Sequence, residues 1–91
     1  MAYVLRYHPA VYSEDLPKID KKIAKQLGRA IETRLTIYPE QYGVPLRRNL
    51  RGYWKLRVGD FRIVYQVVSK EIRILAICHR RKVYDIASGR G

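Results

Sequence analysis

Any chemistry in this chain falls to lysine, arginine, tyrosine and histidine. From Gln41 to Ser69 the side chains Arg47, Arg48, Arg51, Tyr53, Lys55, Arg57 and Arg62 stand against a single carboxylate, Asp60. A second basic run, His79-Arg80-Arg81-Lys82-Val83-Tyr84, lies near the C-terminus. A paired-carboxylate mechanism or a carboxylate-held metal has no acids to draw on. One cysteine, Cys78, and the widely separated His8 and His79 do not make a zinc site. There is no serine-centred elbow, no HExxH helix and no phosphate-cradling glycine loop, so no metal and no cofactor are expected. The residues that remain suffice for cleavage of RNA by its own 2′-hydroxyl. The nucleophile is then part of the substrate, and the protein has only to deprotonate it, align it and stabilise the phosphorane.

Lys55 is the candidate base. A lysine takes that role only where neighbouring cations disfavour its charged form. Alternation along the segment puts Tyr53, Lys55 and Arg57 on one strand face, with Arg62 within reach from the next strand. Arg62 and Arg80, with Arg81 as the alternative to Arg80, are candidates to hold the scissile phosphate. Tyr84 is a candidate to protonate the leaving oxygen or to stack on a base. The expected RNA-contacting surface comprises Arg47, Arg48, Arg51, Tyr53, Arg57, His79, Arg81 and Lys82. The competing reading of the same residues is a solvated cationic sheet face without chemistry.

These side chains need a frame. Tyr3, Leu5 and Tyr7 alternate with Val4 and Arg6 from Ala2 to Tyr7, which predicts a first strand stopped by Pro9. Ala10 to Ile19 predicts a short helix interrupted near Pro17. Asp20 is a candidate N-cap for a longer helix ending at Tyr38, with Ile23, Leu27, Ile31 and Leu35 on its buried stripe, widened by Ala24, Ala30 and Tyr38. Its opposite face carries Lys21, Lys22, Lys25, Arg29, Glu32 and Arg34, and the two helices are expected to form a hairpin. Gln41 to Leu50, with Gly43 and Pro45, reads as a loop with a little extended structure.

Three strands follow, at Tyr53 to Val58, Phe61 to Val68 and Glu71 to Cys78, joined by Gly59-Asp60 and Ser69-Lys70. Ile72, Ile74, Ala76 and Cys78 are expected to share one face, Trp54 and Tyr65 to pack, and Cys78 to be a buried thiol. The last residues, Ser88 to Gly91, are expected to fray. The fold class is therefore α+β: an N-terminal strand, a helix hairpin, then a curved antiparallel sheet of about four strands with a short C-terminal helix. The hairpin covers one apolar sheet face and the other stays open.

Composition bounds the partners. The chain has 91 residues and a formal net charge of +11, with 47% hydrophobic residues, enough to form a core despite the charge. One domain spanning 1–91 is expected, with nucleic acid as the leading partner. The lone cysteine and the lack of a long apolar run point to a cytoplasmic protein without membrane association.

The stretch Leu46-Arg47-Arg48-Asn49-Leu50-Arg51-Gly52-Tyr53-Trp54-Lys55-Leu56-Arg57-Val58-Gly59-Asp60-Phe61-Arg62-Ile63-Val64-Tyr65 resembles the signature of RelE-family toxins, within the RelE/ParE superfamily of type II toxin–antitoxin systems. His79-Arg80-Arg81-Lys82-Val83-Tyr84 is similar to the family's closing element. The resemblance implies a RelE/ParE-like, microbial-RNase-like fold and a metal-independent endoribonuclease, an mRNA interferase that cuts mRNA in the ribosomal A site and so inhibits translation. The products it implies are a 2′,3′-cyclic phosphate and a 5′-hydroxyl. It implies catalytic roles for Lys55, Arg62, Arg80 and Tyr84, with the ribosome and mRNA as partners. It also implies a cognate antitoxin, the toxin being a monomer within a hetero-oligomeric complex. Tyr53 departs from the pattern, since well-known members carry a second lysine there. The alternative within the superfamily is a ParE-type DNA gyrase inhibitor of the same fold without nuclease activity. A nucleic-acid-binding module without catalysis is the third reading.

Overall fold

The computed structural model describes residues 3–90. Five strands form one sheet in the order β1-β5-β4-β3-β2. They are β1 (Val4–Tyr7), β2 (Val44–Pro45), β3 (Trp54–Val58), β4 (Phe61–Val68) and β5 (Glu71–His79). The meander β3-β4-β5 is antiparallel, as is β2 against β3, but β1 runs parallel to β5. The sheet is thus mixed and has one strand more than expected. The first strand begins at Val4, and Ala2, assigned to it from the sequence, lies outside the described residues.

Between β1 and β2 the chain is helical. A wide-turned segment at Val11–Asp15 passes into a tight turn at Leu16–Lys18, with Pro17 where its missing N–H costs nothing. Helix α1 (Lys21–Ala30) starts at Asp20, whose carboxylate accepts from the Lys22 N–H at 3.0 Å. Beyond Ala30 the helix loosens into wider turns at Ile31–Leu35. Two threonine hydroxyls donate to carbonyls four residues back there, Thr33 to Arg29 and Thr36 to Glu32, and such back-bonding distorts the ladder. Helical structure stops at Leu35, short of the expected Tyr38. Tyr38 precedes a proline, is driven out of the helical region at φ −131°, and is exposed instead of widening the stripe. Pro39 then opens α2 (Pro39–Tyr42), so the expected loop is partly helix, followed by the two residues of β2 and a tight turn at Arg48–Leu50.

The first core lies between these helices and the sheet. Leu27, Ile31 and Leu35 of the predicted stripe are fully buried there with Val11, Leu56, Ile63, Tyr65, Ile72, Ile74 and Ile77. A second core lies on the opposite face, which corrects the expectation that this face stays open. Val64, Leu75, Ala76 and Cys78 are covered there by Leu46 and Leu50 and by Val83 and Ala87 of α3 (Val83–Ala87).

The expected shared face of Ile72, Ile74, Ala76 and Cys78 is also corrected. Val64 pairs with Ala76 but Tyr65 pairs with Ile74, so Leu75 is an extra residue in β5. The bulge sends Leu75 and Ala76 to the same side and inverts the alternation beyond it. Ile72, Ile74 and Ile77 therefore face the helices, while Ala76 and Cys78 face α3.

The tail expected to fray is tied down at Arg90. Beyond Tyr7 the partner strand ends, and the edge of β5 is closed by side chains instead. Asp15 accepts the Ile77 N–H at 2.8 Å, Arg90 donates to the Leu75 carbonyl at 3.1 Å, and the two side chains meet in a bidentate pair at 2.7 Å. The Asp15 side chain is 4% exposed and that of Arg90 10%. Gly91 lies outside the described residues.

Candidate functional site

The helix-free face of the sheet is built in cross-strand rows. Lys55 lies beside Val44 of β2 and Val64 of β4. One row further, Arg57 and Arg62 are direct cross-strand partners, and Arg62 pairs in turn with Cys78. The alternation that buries Trp54, Leu56 and Val58 on the helix side therefore places Lys55, Arg57 and Arg62 together, as the sequence predicts. Like charges opposite each other on a sheet are unfavourable, which makes the Arg57–Arg62 pair a cost to the fold.

Arg62 does not stand free. Its Nη1 donates to the Gly59 carbonyl at 3.1 Å and to the Phe61 carbonyl at 2.9 Å, curling the guanidinium over the β3–β4 turn. Among the described residues no hydrogen bond engages its Nε or Nη2. Gly59 makes the curl possible, because the turn holds it at φ +59°, where a β-carbon is disfavoured.

Helix α3 supplies the tyrosine. Val83 and Ala87 turn into the second core, so Tyr84 is turned outward and remains 42% exposed. Its hydroxyl accepts from the Arg47 N–H at 3.4 Å, which leaves its own proton available. Arg47, Arg48 and Tyr84 line a recess of about 290 Å³. Arg48 holds a left-handed φ of +61° there, and Asn49 donates to the Ser88 hydroxyl at 2.8 Å, tying the segment to the end of α3. Arg51 is exposed in the following turn.

The closing basic run divides. The Arg80 N–H extends the β4–β5 ladder to the Asp60 carbonyl at 2.9 Å, and the side chains of Arg80 and Arg81 are exposed beyond it. His79 is not brought to the lysine face. Its cross-strand partner is Phe61, on whose ring it packs edge-on, and its Nδ1 accepts from the Arg81 N–H at 3.3 Å. His79 and Lys82 instead line a cleft of about 520 Å³ with Asp15, Lys18 and Asp85. Cys78 is buried in the second core, and burial pushes its thiol up to about 11. Among the described residues no cluster of His, Cys, Asp and Glu is suited to a metal ion, and no helix is long and apolar enough to cross a membrane.

Sequence reasoning missed a second polar row on this face. Arg6, Arg73 and Gln66 are cross-strand neighbours in β1, β5 and β4, and Tyr53 continues the row toward β3. Arg6 and Arg73 are exposed, and Gln66 and Tyr53 are half-buried, Tyr53 resting against the second core, but the parallel pairing that assembles the row leaves no local signal.

Comparisons with known proteins agree with this architecture. Residues 5–84 match the family model described as ParE toxin of type II toxin-antitoxin system, parDE. Toxin RelE of Mycobacterium tuberculosis is 31% identical over 83 residues, covering 86% of each chain. Toxin RelG of the same organism is 29% identical over 86 residues, covering 92% of this chain and 98% of the relative. The crystal structure of the toxin–antitoxin complex RelBE2 from M. tuberculosis superposes with a TM-score of 0.81 at 28% identity, over 88% of this chain and 93% of that one. A mutant E. coli toxin RelE in the free state shares the fold, with a TM-score of 0.76 at 21% identity over 99% of this chain and 98% of that one. With a family model matched over most of its length and RelE-named relatives beside it, the chain belongs to the ParE toxin family, as a type II toxin–antitoxin toxin of the RelE/ParE superfamily.

Proposed function

We propose that this toxin is a ribosome-dependent endoribonuclease that cleaves mRNA in the ribosomal A site. The observation that carries the reading is the grouping of Lys55, Arg57 and Arg62 on the helix-free sheet face, beside the patch that α3 covers and from which α3 presents Tyr84. Lys55 takes the proton of the 2′-hydroxyl, and the resulting oxygen attacks the adjacent phosphorus. Arg62, through the nitrogens that do not hold the turn, stabilises the phosphorane together with Arg80, or Arg81 in its place. The bond to the 5′-oxygen breaks, Tyr84 gives that oxygen a proton, and the products are a 2′,3′-cyclic phosphate and a 5′-hydroxyl. Tyr53 stands in place of a second lysine and offers a stacking surface. Arg47, Arg48, Arg51, Arg57, Arg81 and Lys82 contact ribosome and message, with His79 at the far edge. No metal and no cofactor take part.

The partner implied by the neighbouring toxin–antitoxin complexes is a cognate antitoxin in the same cytoplasm, holding the toxin as a monomer in a hetero-oligomer. An acidic segment with apolar anchors fits this surface, and its association should slow as salt rises. The test is incubation with programmed ribosomes, with cut sites mapped by primer extension. Lys55→Ala and Lys55→Arg should both lose cleavage by 10²- to 10⁴-fold, while Lys55→Arg keeps more ribosome affinity because it keeps the charge. Full activity in Lys55→Arg removes lysine as the base.

The second reading, a ParE-type gyrase inhibitor, is favoured by the name of the matching family model and by the engagement of Arg62 with its own turn. Inhibition of gyrase supercoiling by a toxin that leaves ribosome-bound message intact decides for it.

A further inference from the structure

We infer that the row Arg6–Arg73–Gln66–Tyr53 is a second RNA subsite, which holds the single-stranded segment flanking the bond to be cut. This inference rests on the nuclease reading and extends it to residues outside the lysine-arginine cluster. The four side chains belong to four segments of the chain, and only the sheet assembles them. Arg6 of β1 is in register with Arg73 of β5, Arg73 with Gln66 of β4, and Tyr53 follows where Trp54 pairs with Tyr65. All four line one recess of about 310 Å³.

The chemistry of the row matches a nucleotide. Arg6 and Arg73 are 67% and 55% exposed and both reach Glu71 through Nε, at 3.5 Å and 3.1 Å. A guanidinium held at Nε presents its two η-nitrogens as a preoriented fork, the geometry that takes a phosphate bidentately. Gln66 offers an amide that both donates and accepts, suited to the edge of a base, and Tyr53 offers a ring on which that base stacks. An acidic peptide would use the arginines but leave the amide and the ring without a specific role.

Position makes the row an extension of the site. Tyr53 and Lys55 are alternate residues of one strand direction, roughly 6–7 Å apart along it. A strand of RNA whose scissile phosphate lies at Lys55 and Arg62 therefore runs across Tyr53 onto Arg73 and Arg6 without leaving the face. Arg90, which also lines the recess, is engaged by Asp15 and serves as wall.

The test compares the parent protein with Arg6→Gln/Arg73→Gln, using a labelled single-stranded RNA of mixed sequence and salt titrations of its affinity, with folding followed by circular dichroism. Losing two phosphate contacts should weaken binding about tenfold at low salt and reduce the slope of log K against log salt by about 1.4. On programmed ribosomes the double variant should raise KM with kcat unchanged. Gln66→Ala should flatten base preference next to the cut without altering the salt slope. A folded double variant with the parent's affinity and slope overturns the inference, as does one that loses only antitoxin affinity, which makes the row a protein interface. A parent that binds the RNA in a row-dependent way but never cuts message sinks the nuclease reading and leaves the subsite standing. A parent that binds no RNA sinks both.

Discussion

The two faces of the sheet are made from the same strands and do opposite work. On the helix side β1, β3, β4 and β5 each contribute apolar residues, and Ile63, Tyr65 and Ile72 reach full burial. On the other side the same strands carry Lys55, Arg57, Arg62, Arg73 and Arg6, and only the middle is covered, by α3 and the Leu46 and Leu50 side chains. A strand cannot avoid this coupling, because its side chains alternate by construction. The contrast teaches that the cationic face is affordable only because the other face supplies the stability. A sheet that keeps Arg57 and Arg62 adjacent accepts repulsion on one side and offsets it with a closed core on the other.

The largest effect is expected where the two faces meet, at the edge of β5. Asp15→Ala removes the acceptor of the Ile77 N–H and leaves Arg90, whose charged form Asp15 stabilises, buried with only the more distant Glu14 carboxylate at 3.8 Å. Breaking such a pair costs about 3–5 kcal/mol. Asp15→Ala/Arg90→Ala should cost less than the sum of the single changes, in a double-mutant cycle followed by urea unfolding. Strict additivity would mean that the two side chains close the edge independently.

The cationic face should behave in reverse. Arg62→Ala and Arg80→Ala should each lower ribosome-dependent cleavage on the order of 10²-fold, as expected for removal of a donor aimed at a developing charge. For Arg80, which is exposed, stability should change by no more than about 0.5 kcal/mol; for the half-buried Arg62 the loss should stay within about 1 kcal/mol. Arg62→Ala tests the contrast most sharply, since its guanidinium also holds the β3–β4 turn. A melting point that falls together with activity would make Arg62 a structural residue of the turn.

What was legible in the sequence follows the same division. Leu27, Ile31 and Leu35 were readable because a helix repeats locally, and Lys55 with Arg57 because a strand does. Their pairing with Arg62 was readable because a short turn joins neighbouring strands. The parallel contact of β1 with β5, which brings Arg6 to Arg73, joins segments far apart in sequence, and no local pattern encodes it. The Leu75 bulge sits in an unbroken apolar run without glycine or proline, so nothing marked the inversion that moved Ala76 and Cys78 to the α3 side. Arg90 looked like a tail residue because its partner, Asp15, lies at the other end of the chain. The roles of Lys55, Arg62, Arg80 and Tyr84 came from resemblance joined to chemistry, and they await the assays above.

The second core is shallower than the first, and Cys78 reports on it. Burial raises its thiol from an ordinary 9.0 to about 11, with Asp15 adding to the rise and Arg90 opposing it. The proton is thus held more tightly in the folded state. The stabilisation is complete below pH 9 and is lost as pH rises toward 11. Alkylation by iodoacetamide at pH 8 should run roughly a hundredfold slower than for a free thiol, even before burial blocks access. Rapid labelling under native conditions would show that α3 lifts off this core, breaking the picture of a face covered at its centre.

The smallest expected effect separates backbone from side chain within the site itself. Arg48 holds φ +61° beside Tyr84, a conformation in which a β-carbon costs about 1 kcal/mol or more. Arg48→Gly and Arg48→Ala remove the same guanidinium, so they should weaken ribosome binding equally. They differ only in the β-carbon. Glycine relieves the left-handed strain but gains more freedom when unfolded. The glycine variant should therefore be the more stable by only about 0.5 kcal/mol, a difference that paired urea titrations resolve. Equal binding with unequal stability means that the strain belongs to the backbone and the recognition to the side chain, so the chain bears a local cost to present an arginine next to Tyr84. If the two variants unfold together, the segment relaxes out of the left-handed region once the arginine is gone. The side chain's own contacts would then be what holds the turn, and this corner of the cationic face would be shaped by its charges and not by the core beneath it.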